Sequence, residues 1–99
     1  MNSFERHINS EKPVVIDFYT EWCQPCKMMS PVLHEVKEKV GDRAIILKLN
    51  IEKSPYYSQL YNISSVPTLM IFKQGNVLWR KSGVATADEI LYHLNFHIS

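Results

Sequence analysis

The sequence predicts an α/β fold, with a mixed four-stranded sheet and helices on both of its faces. Three observations carry that expectation. The run Val14-Val15-Ile16-Asp17-Phe18-Tyr19 is β-branched, aromatic and almost continuously apolar, the pattern of a strand covered on both sides. A long helical pattern and a second apolar run follow it, and strand, helix, strand is the parallel crossover unit. Finally, two strand-like runs flank Gln74-Gly75-Asn76, a hairpin signal.

Taken in order, Phe4 to Ser10 reads as a short first helix with Ser3 as its cap. Pro13 precedes the strand Val14 to Tyr19. The helix from Gln24 to Val40 places Met29, Leu33, Val36 and Val40 at helical spacing and pairs Glu35 with Lys39 on its surface. Pro31 lies inside it and is expected to kink it, and Gly41 is a natural stop. Ala44 to Asn50 is the second strand, and Pro55 to Tyr61 a short helix. Thr68 to Lys73 and Val77 to Ser82 are the hairpin strands. The last helix opens on the capping box Thr86-Ala87-Asp88-Glu89 and sets Ile90, Leu91, Leu94 and Ile98 on one face. No linker or repeat divides the chain, so one domain spanning residues 1–99 is expected.

The bulk numbers narrow the function. The net charge is +1 and acids and bases are interspersed, which argues against a nucleic-acid face. No apolar run is long enough to cross a membrane. The start, Met1-Asn2-Ser3-Phe4-Glu5-Arg6-His7, lacks the pattern of a secretory signal. The expected compartment is the cytoplasm, unless a segment upstream directs export.

Cys23 and Cys26 are the only cysteines. In a reducing compartment such a pair is catalytic or metal-binding rather than a permanent staple. They sit in Glu21-Trp22-Cys23-Gln24-Pro25-Cys26-Lys27, between a strand and the amino end of a helix. The partial positive charge and free N–H groups of a helix amino end stabilise a thiolate, the nucleophile of disulfide exchange. Zinc is the competing reading, with His93 and His97 supplying further ligands. A zinc finger places its histidines ~12–15 residues after its cysteines, and the gap here is far longer. Pro25 also stiffens the cysteine loop.

Asp17 interrupts an apolar strand. Burial raises a carboxyl pKa, and a raised pKa suits a general base at neutral pH. Asp17 is therefore a candidate to take the proton from Cys26; an edge position open to solvent is the alternative. Lys48, alone in Ile45-Ile46-Leu47-Lys48-Leu49, either neutralises Asp17 from the neighbouring strand or snorkels to the surface. Trp79, Tyr56, Tyr57 and Tyr61 are read as packing, and His93 and His97 as a solvated pair.

With these features in order, the chain resembles the thioredoxin family. The resemblance rests on Asp17-Phe18-Tyr19, Trp22-Cys23-Gln24-Pro25-Cys26-Lys27, Pro31, Lys48-Leu49-Asn50-Ile51, Val66-Pro67-Thr68, Phe72-Lys73-Gln74-Gly75 and Gly83. It implies a protein thiol–disulfide oxidoreductase of thioredoxin-like fold, with Cys23 as the exposed attacking thiol and Cys26 as the resolving one. Trp22, Gln24 and Pro25 would meet substrates. Val66-Pro67 would pack against the disulfide with Pro67 cis, the Val66 backbone pairing with an extended substrate segment. Gly83 would leave room on the same surface. The implied partners are disulfide-bearing proteins and, as electron donor, a flavin-dependent thioredoxin reductase. No cofactor beyond the redox-active disulfide is implied.

Two positions depart from the family pattern. Gln24 stands where its commonest motif has glycine, between the cysteines, where residues tune reduction potential and recognition. Residues 1–13 are also too short for both the usual first strand and first helix. The missing strand leaves the edge beside Ala44 to Leu49 open, and an open edge invites pairing. A monomer, or a weak dimer through that edge, is expected. The competing functions are a disulfide oxidase or isomerase, and a docking module that keeps the fold without turnover.

Overall fold

In a computed structural model that describes residues 1–98, the central strand β1 (Val14–Tyr19) has the bounds the sequence predicts. Before it comes α1 (Ser3–Ile8). After it come α2 (Gln24–Val40), a 3₁₀ turn at Gly41–Arg43, β2 (Ile45–Asn50), α3 (Pro55–Leu60), β3 (Thr68–Lys73), β4 (Asn76–Ser82) and α4 (Ala87–Leu94). The sheet order is β2-β1-β3-β4, with β1 parallel to β2 and antiparallel to β3. The mixed four-stranded sheet is thus as expected, and β2 is an outer strand.

The two interior strands, β1 and β3, are buried almost throughout. Their side chains alternate between two cores. Val15, Leu69 and Ile71 pack with Met29, Leu33 and Val36 of α2 and with Ile90 and Leu94 of α4. Val14, Ile16, Phe18, Met70 and Phe72 face the other way, against Ile8 of α1, with Phe4 and Tyr61 packed on them. Each fully buried side chain of this size contributes roughly 1.5–3 kcal/mol. Helices therefore cover both faces. Trp79 and Tyr61 pack on these cores as expected, while Tyr56 is exposed.

Several local details differ from the sequence reading. The cap of α1 is Asn2, whose side chain accepts from the Glu5 N–H at 2.8 Å, and Ser3 begins the helix. α2 runs on through Pro31 to Val40; the lost N–H removes one bond, to the Lys27 carbonyl, without ending the helix. At the hairpin, Gln74 and Gly75 both have positive φ, the two-residue turn whose twist matches the strands, and Asn76 already belongs to β4. The turn is tied to the end of α1: Gln74 N–H donates to the Ser10 carbonyl at 2.9 Å and Gly75 N–H to the Ile8 carbonyl at 2.8 Å. A Cβ on Gly75 would lie 2.7 Å from Asn9 Oδ1. Half of the α4 capping box forms. Thr86 accepts from the Glu89 N–H at 3.1 Å, but the Glu89 carboxylate is taken by Lys81 at 2.6 Å. α4 stops at Leu94, so Ile98 reaches the core from beyond the helix.

A cavity of about 400 Å³ lies between α1 and α3 against β2, lined by Phe4, Leu47, Leu49 and Tyr57 among others. Neither cysteine borders it.

Candidate active site

The site forms where β1 ends and α2 begins. β1 runs to Tyr19, a short connection follows, and Cys23 occupies the cap position of α2 in extended backbone. Cys23 Sγ accepts from the Cys26 N–H at 3.1 Å. A sulfur in that position meets an otherwise unpaired N–H and the positive end of a 17-residue helix. Pro25 stands in the first turn, where its missing N–H costs nothing.

The two sulfurs are bonded, 2.24 Å apart, with the Cα atoms at 5.2 Å. The pair is asymmetric. Cys23 is partly exposed, whereas Cys26 is 3% exposed and belongs to the inward face of α2. Around Cys23 the surface is open: Trp22 is 88% exposed, and Gln24 and Pro25 are exposed.

The segment before β3 closes the site from the other side. The Val66–Pro67 peptide bond is cis, as the resemblance implies. It turns the Val66 carbonyl to Cys23 Sγ, at 3.6 Å. Pro67 is buried, and its own carbonyl accepts from Gly83 N–H at 2.8 Å, so β4's end is tied to the same loop. Gly83 has φ +99°, a conformation open to glycine, and a Cβ there would meet nothing within 4 Å. The structure therefore brings Trp22, Cys23, Val66, Pro67 and Gly83 to one end of the sheet.

Asp17 lies in β1, on the face covered by α2, the helix that carries Cys26. The Asp17 side chain is fully buried, so the solvent-edge alternative is excluded. Neither carboxylate oxygen has a hydrogen-bond partner among the described residues. Burial pushes its pKa up to about 6, and the positive charge of Lys48 opposes part of that rise. Asp17 and Lys48 are register partners in the β1–β2 ladder. Alternation puts both on the face that α2 covers, with Val15 and Ile46.

Lys48 does not close on Asp17. Among the described residues the two form no ion pair. The Lys48 ammonium instead donates to Ser30 Oγ at 3.1 Å and stands 4.9 Å from the centre of the Tyr19 ring. An open cavity of about 230 Å³ meets these groups, lined by Tyr19, Thr20, Glu21, Cys26, Lys27, Ser30 and Lys48. Ser30 escapes a motif search because it does not adjoin the cysteines, and Tyr19, though part of the Asp17-Phe18-Tyr19 motif, receives no role from it. The signal available was positional: Ser30 follows Cys26 by four residues and so shares its side of the helix.

His93 and His97, read as a solvated pair, are both half-buried rather than fully in solvent. His93 stacks on Trp79 with ring centres 4.7 Å apart, and no group of His, Cys, Asp or Glu among the described residues is arranged to hold a metal ion. No described helix is long and apolar enough to cross a membrane.

Comparison with known proteins agrees with this geometry. The thioredoxin family model matches residues 1–95. Thioredoxin Y, chloroplastic, of Oryza sativa subsp. japonica is 41% identical over 85 residues, 86% of this chain and 51% of that protein. The thioredoxin of Rickettsia prowazekii is 37% identical over 95 residues, 95% of this chain and 90% of that protein. That of Buchnera aphidicola is 36% identical over 98 residues, covering 99% and 91%. The chain thus spans about half the length of the chloroplastic relatives and nine tenths of the bacterial ones. With Cys23 and Cys26 bonded to each other at the amino end of α2, the chain belongs to the thioredoxin family.

Proposed function

We propose that this protein, acting as one domain, reduces disulfide bonds in protein substrates. The observation that carries the reading is Cys23 at the cap of α2, its sulfur on the Cys26 N–H and beside an exposed surface. In the reduced protein, that N–H and the helix end favour the Cys23 thiolate. The thiolate attacks one sulfur of the substrate disulfide, and the other leaves as a thiolate and takes up a proton. Cys26, deprotonated with help from Asp17, then attacks Cys23 Sγ. The Cys23–Cys26 bond forms, the second substrate sulfur leaves as thiolate and is protonated, and two electrons have passed to the substrate.

Asp17 suits the base role because it has no hydrogen-bond partner among the described residues, and a pKa of about 6 leaves it ionised yet basic at neutral pH. Lys48, its register partner, supplies positive charge behind the reaction. Trp22, Gln24 and Pro25 form the contact surface, and the edge at Val66 and Pro67 pairs with an extended substrate segment, with Gly83 beside it. No cofactor takes part beyond the disulfide itself. Electrons return from a thioredoxin reductase or an equivalent donor, which places the work in a reducing compartment such as the cytoplasm. Self-association is weak and runs through the outer edge of β2.

The test is the Cys23–Cys26 reduction potential, read by equilibration in dithiol buffers with alkylation and mass. A potential more reducing than the glutathione pool is expected. One well above it makes the protein an oxidase or isomerase, since ~30 mV corresponds to ~1.4 kcal/mol for this couple. Cys23→Ser separates the docking alternative: a docking module keeps its partner, an oxidoreductase loses turnover.

A further inference from the structure

We propose that Ser30, together with Tyr19, is a positioning residue that parks the Lys48 ammonium at the surface and keeps it from closing on Asp17. The proposal rests on the reading of Asp17 as the base for Cys26.

Three contacts place Lys48. Its backbone is fixed by the β1–β2 ladder opposite Asp17, and both side chains start on the face beneath α2. A lysine stem beginning there has a buried, unpartnered carboxylate as its obvious target. The ammonium goes outward instead, to Ser30 Oγ at 3.1 Å and over the Tyr19 ring at 4.9 Å. Ser30 is exposed, so the tether lies at the rim rather than in the core. Ser30 and Lys48 border both the 230 Å³ cavity that reaches Cys26 and a neighbouring one of about 310 Å³ lined by Leu33, His34, Lys37 and Ile46. The pair therefore stands as the partition between the two.

The other charged groups around Lys48 are engaged elsewhere or are constant. Glu21 pairs with Lys53, His34 with Glu38, and Lys37 reaches the Gly41 and Ala44 carbonyls. Lys27 and the Tyr19 phenol complete the set in the first cavity. Of these groups Lys48 is the one whose charge acts on Asp17, so the field that Asp17 feels depends on where Lys48 is held. Parked, the lysine lets Asp17 keep its basicity. Released, it pairs with Asp17, and a carboxylate beside a cation is a weaker base. The hydroxyl and ring offset that attraction through one charged hydrogen bond and one cation–π contact.

The experiment titrates Asp17 in the reduced protein by its carboxyl carbon chemical shift, in parallel with the pH profile of mixed-disulfide resolution. In Ser30→Ala the Asp17 midpoint is expected to fall by about one pH unit, the shift an adjacent opposite charge produces. Ser30→Thr, which keeps the hydroxyl, holds the wild-type midpoint. In a Lys48→Met background, Ser30→Ala has no further effect. An unchanged midpoint in Ser30→Ala, or a Ser30→Thr variant that behaves like alanine, overturns the positioning role. The base reading fails separately: Asp17→Asn would then resolve mixed disulfides at the wild-type rate, whatever Ser30 does to the titration.

Discussion

The two sides of the disulfide are built from opposite materials. In front, Trp22, Gln24 and Pro25 stand in solvent around a partly exposed Cys23. Behind, Cys26 and Asp17 are buried, and the Lys48 charge is kept at arm's length. The front offers area and backbone to another protein; the back offers low polarity, which makes one carboxyl group basic. In the proposed mechanism, capture of a substrate and handling of protons thereby fall in different solvents a few residues apart. A change on one side should leave the other's signature intact.

The hardest test removes a sulfur. Cys23→Ser is expected to reduce disulfide turnover to background, while Cys26→Ser retains the first attack and accumulates the mixed disulfide; trapping of a substrate by the second variant alone, read by mass, checks the order. Next in size is the base. Asp17→Asn should slow the resolving step by roughly 10²-fold, the lower end of what general base catalysis contributes. Stopped-flow resolution of a preformed mixed disulfide measures it, with the initial attack unchanged.

The same substitution has an opposite effect on stability. Asp17's folded pKa lies above its ordinary 3.8, at about 6, so the folded state holds its proton more tightly than the unfolded chain does. Stability from this group is complete below pH ~4, is lost as pH rises to ~6, and stays lost above. Asp17→Asn is therefore expected to stabilise the fold by up to about 3 kcal/mol at pH 8, from ~1.4 kcal/mol per pH unit, and by nothing near pH 3.5. Denaturant melts at the two pH values check the sign; a variant equally stabilised at both would place the cause in packing.

The smallest effect belongs to the front. Trp22→Ala should cost roughly 1–2 kcal/mol in kcat/KM toward protein disulfides, as a contact aromatic does. It should move stability by no more than ~0.5 kcal/mol, because the ring is already in water. A large loss of stability would mean that Trp22 belongs to the interior after all.

The front and the fold were the legible parts of the sequence. β1 and α2 have the predicted bounds residue for residue, since a short β-branched and aromatic run after Pro13 and an apolar spacing of three and four residues ending at Gly41 mark their ends in the sequence. Asp17 announced itself by breaking such a run. Ends were harder. Asn2 rather than Ser3 caps α1 because either side chain can accept the bond and only the chain's path decides. Ile98 fits the α4 pattern yet lies beyond its last turn, at Leu94. The arrangement behind Cys26 was the least legible. Lys48 meets Ser30 across a helix–strand contact 18 residues apart in sequence, and neither residue belongs to the cysteine motif.

The knot between the hairpin turn and α1 lies at the far end of the sheet from the cysteines, where Val14 pairs with Phe72. There the amides of Gln74 and Gly75 end on carbonyls of Ser10 and Ile8. Their exchange with deuterium is thus a clock for the detachment of the first ten residues, readable without any probe attached. A terminal fusion that pries α1 loose would register in those two amides while the chemistry at the opposite pole continued undisturbed.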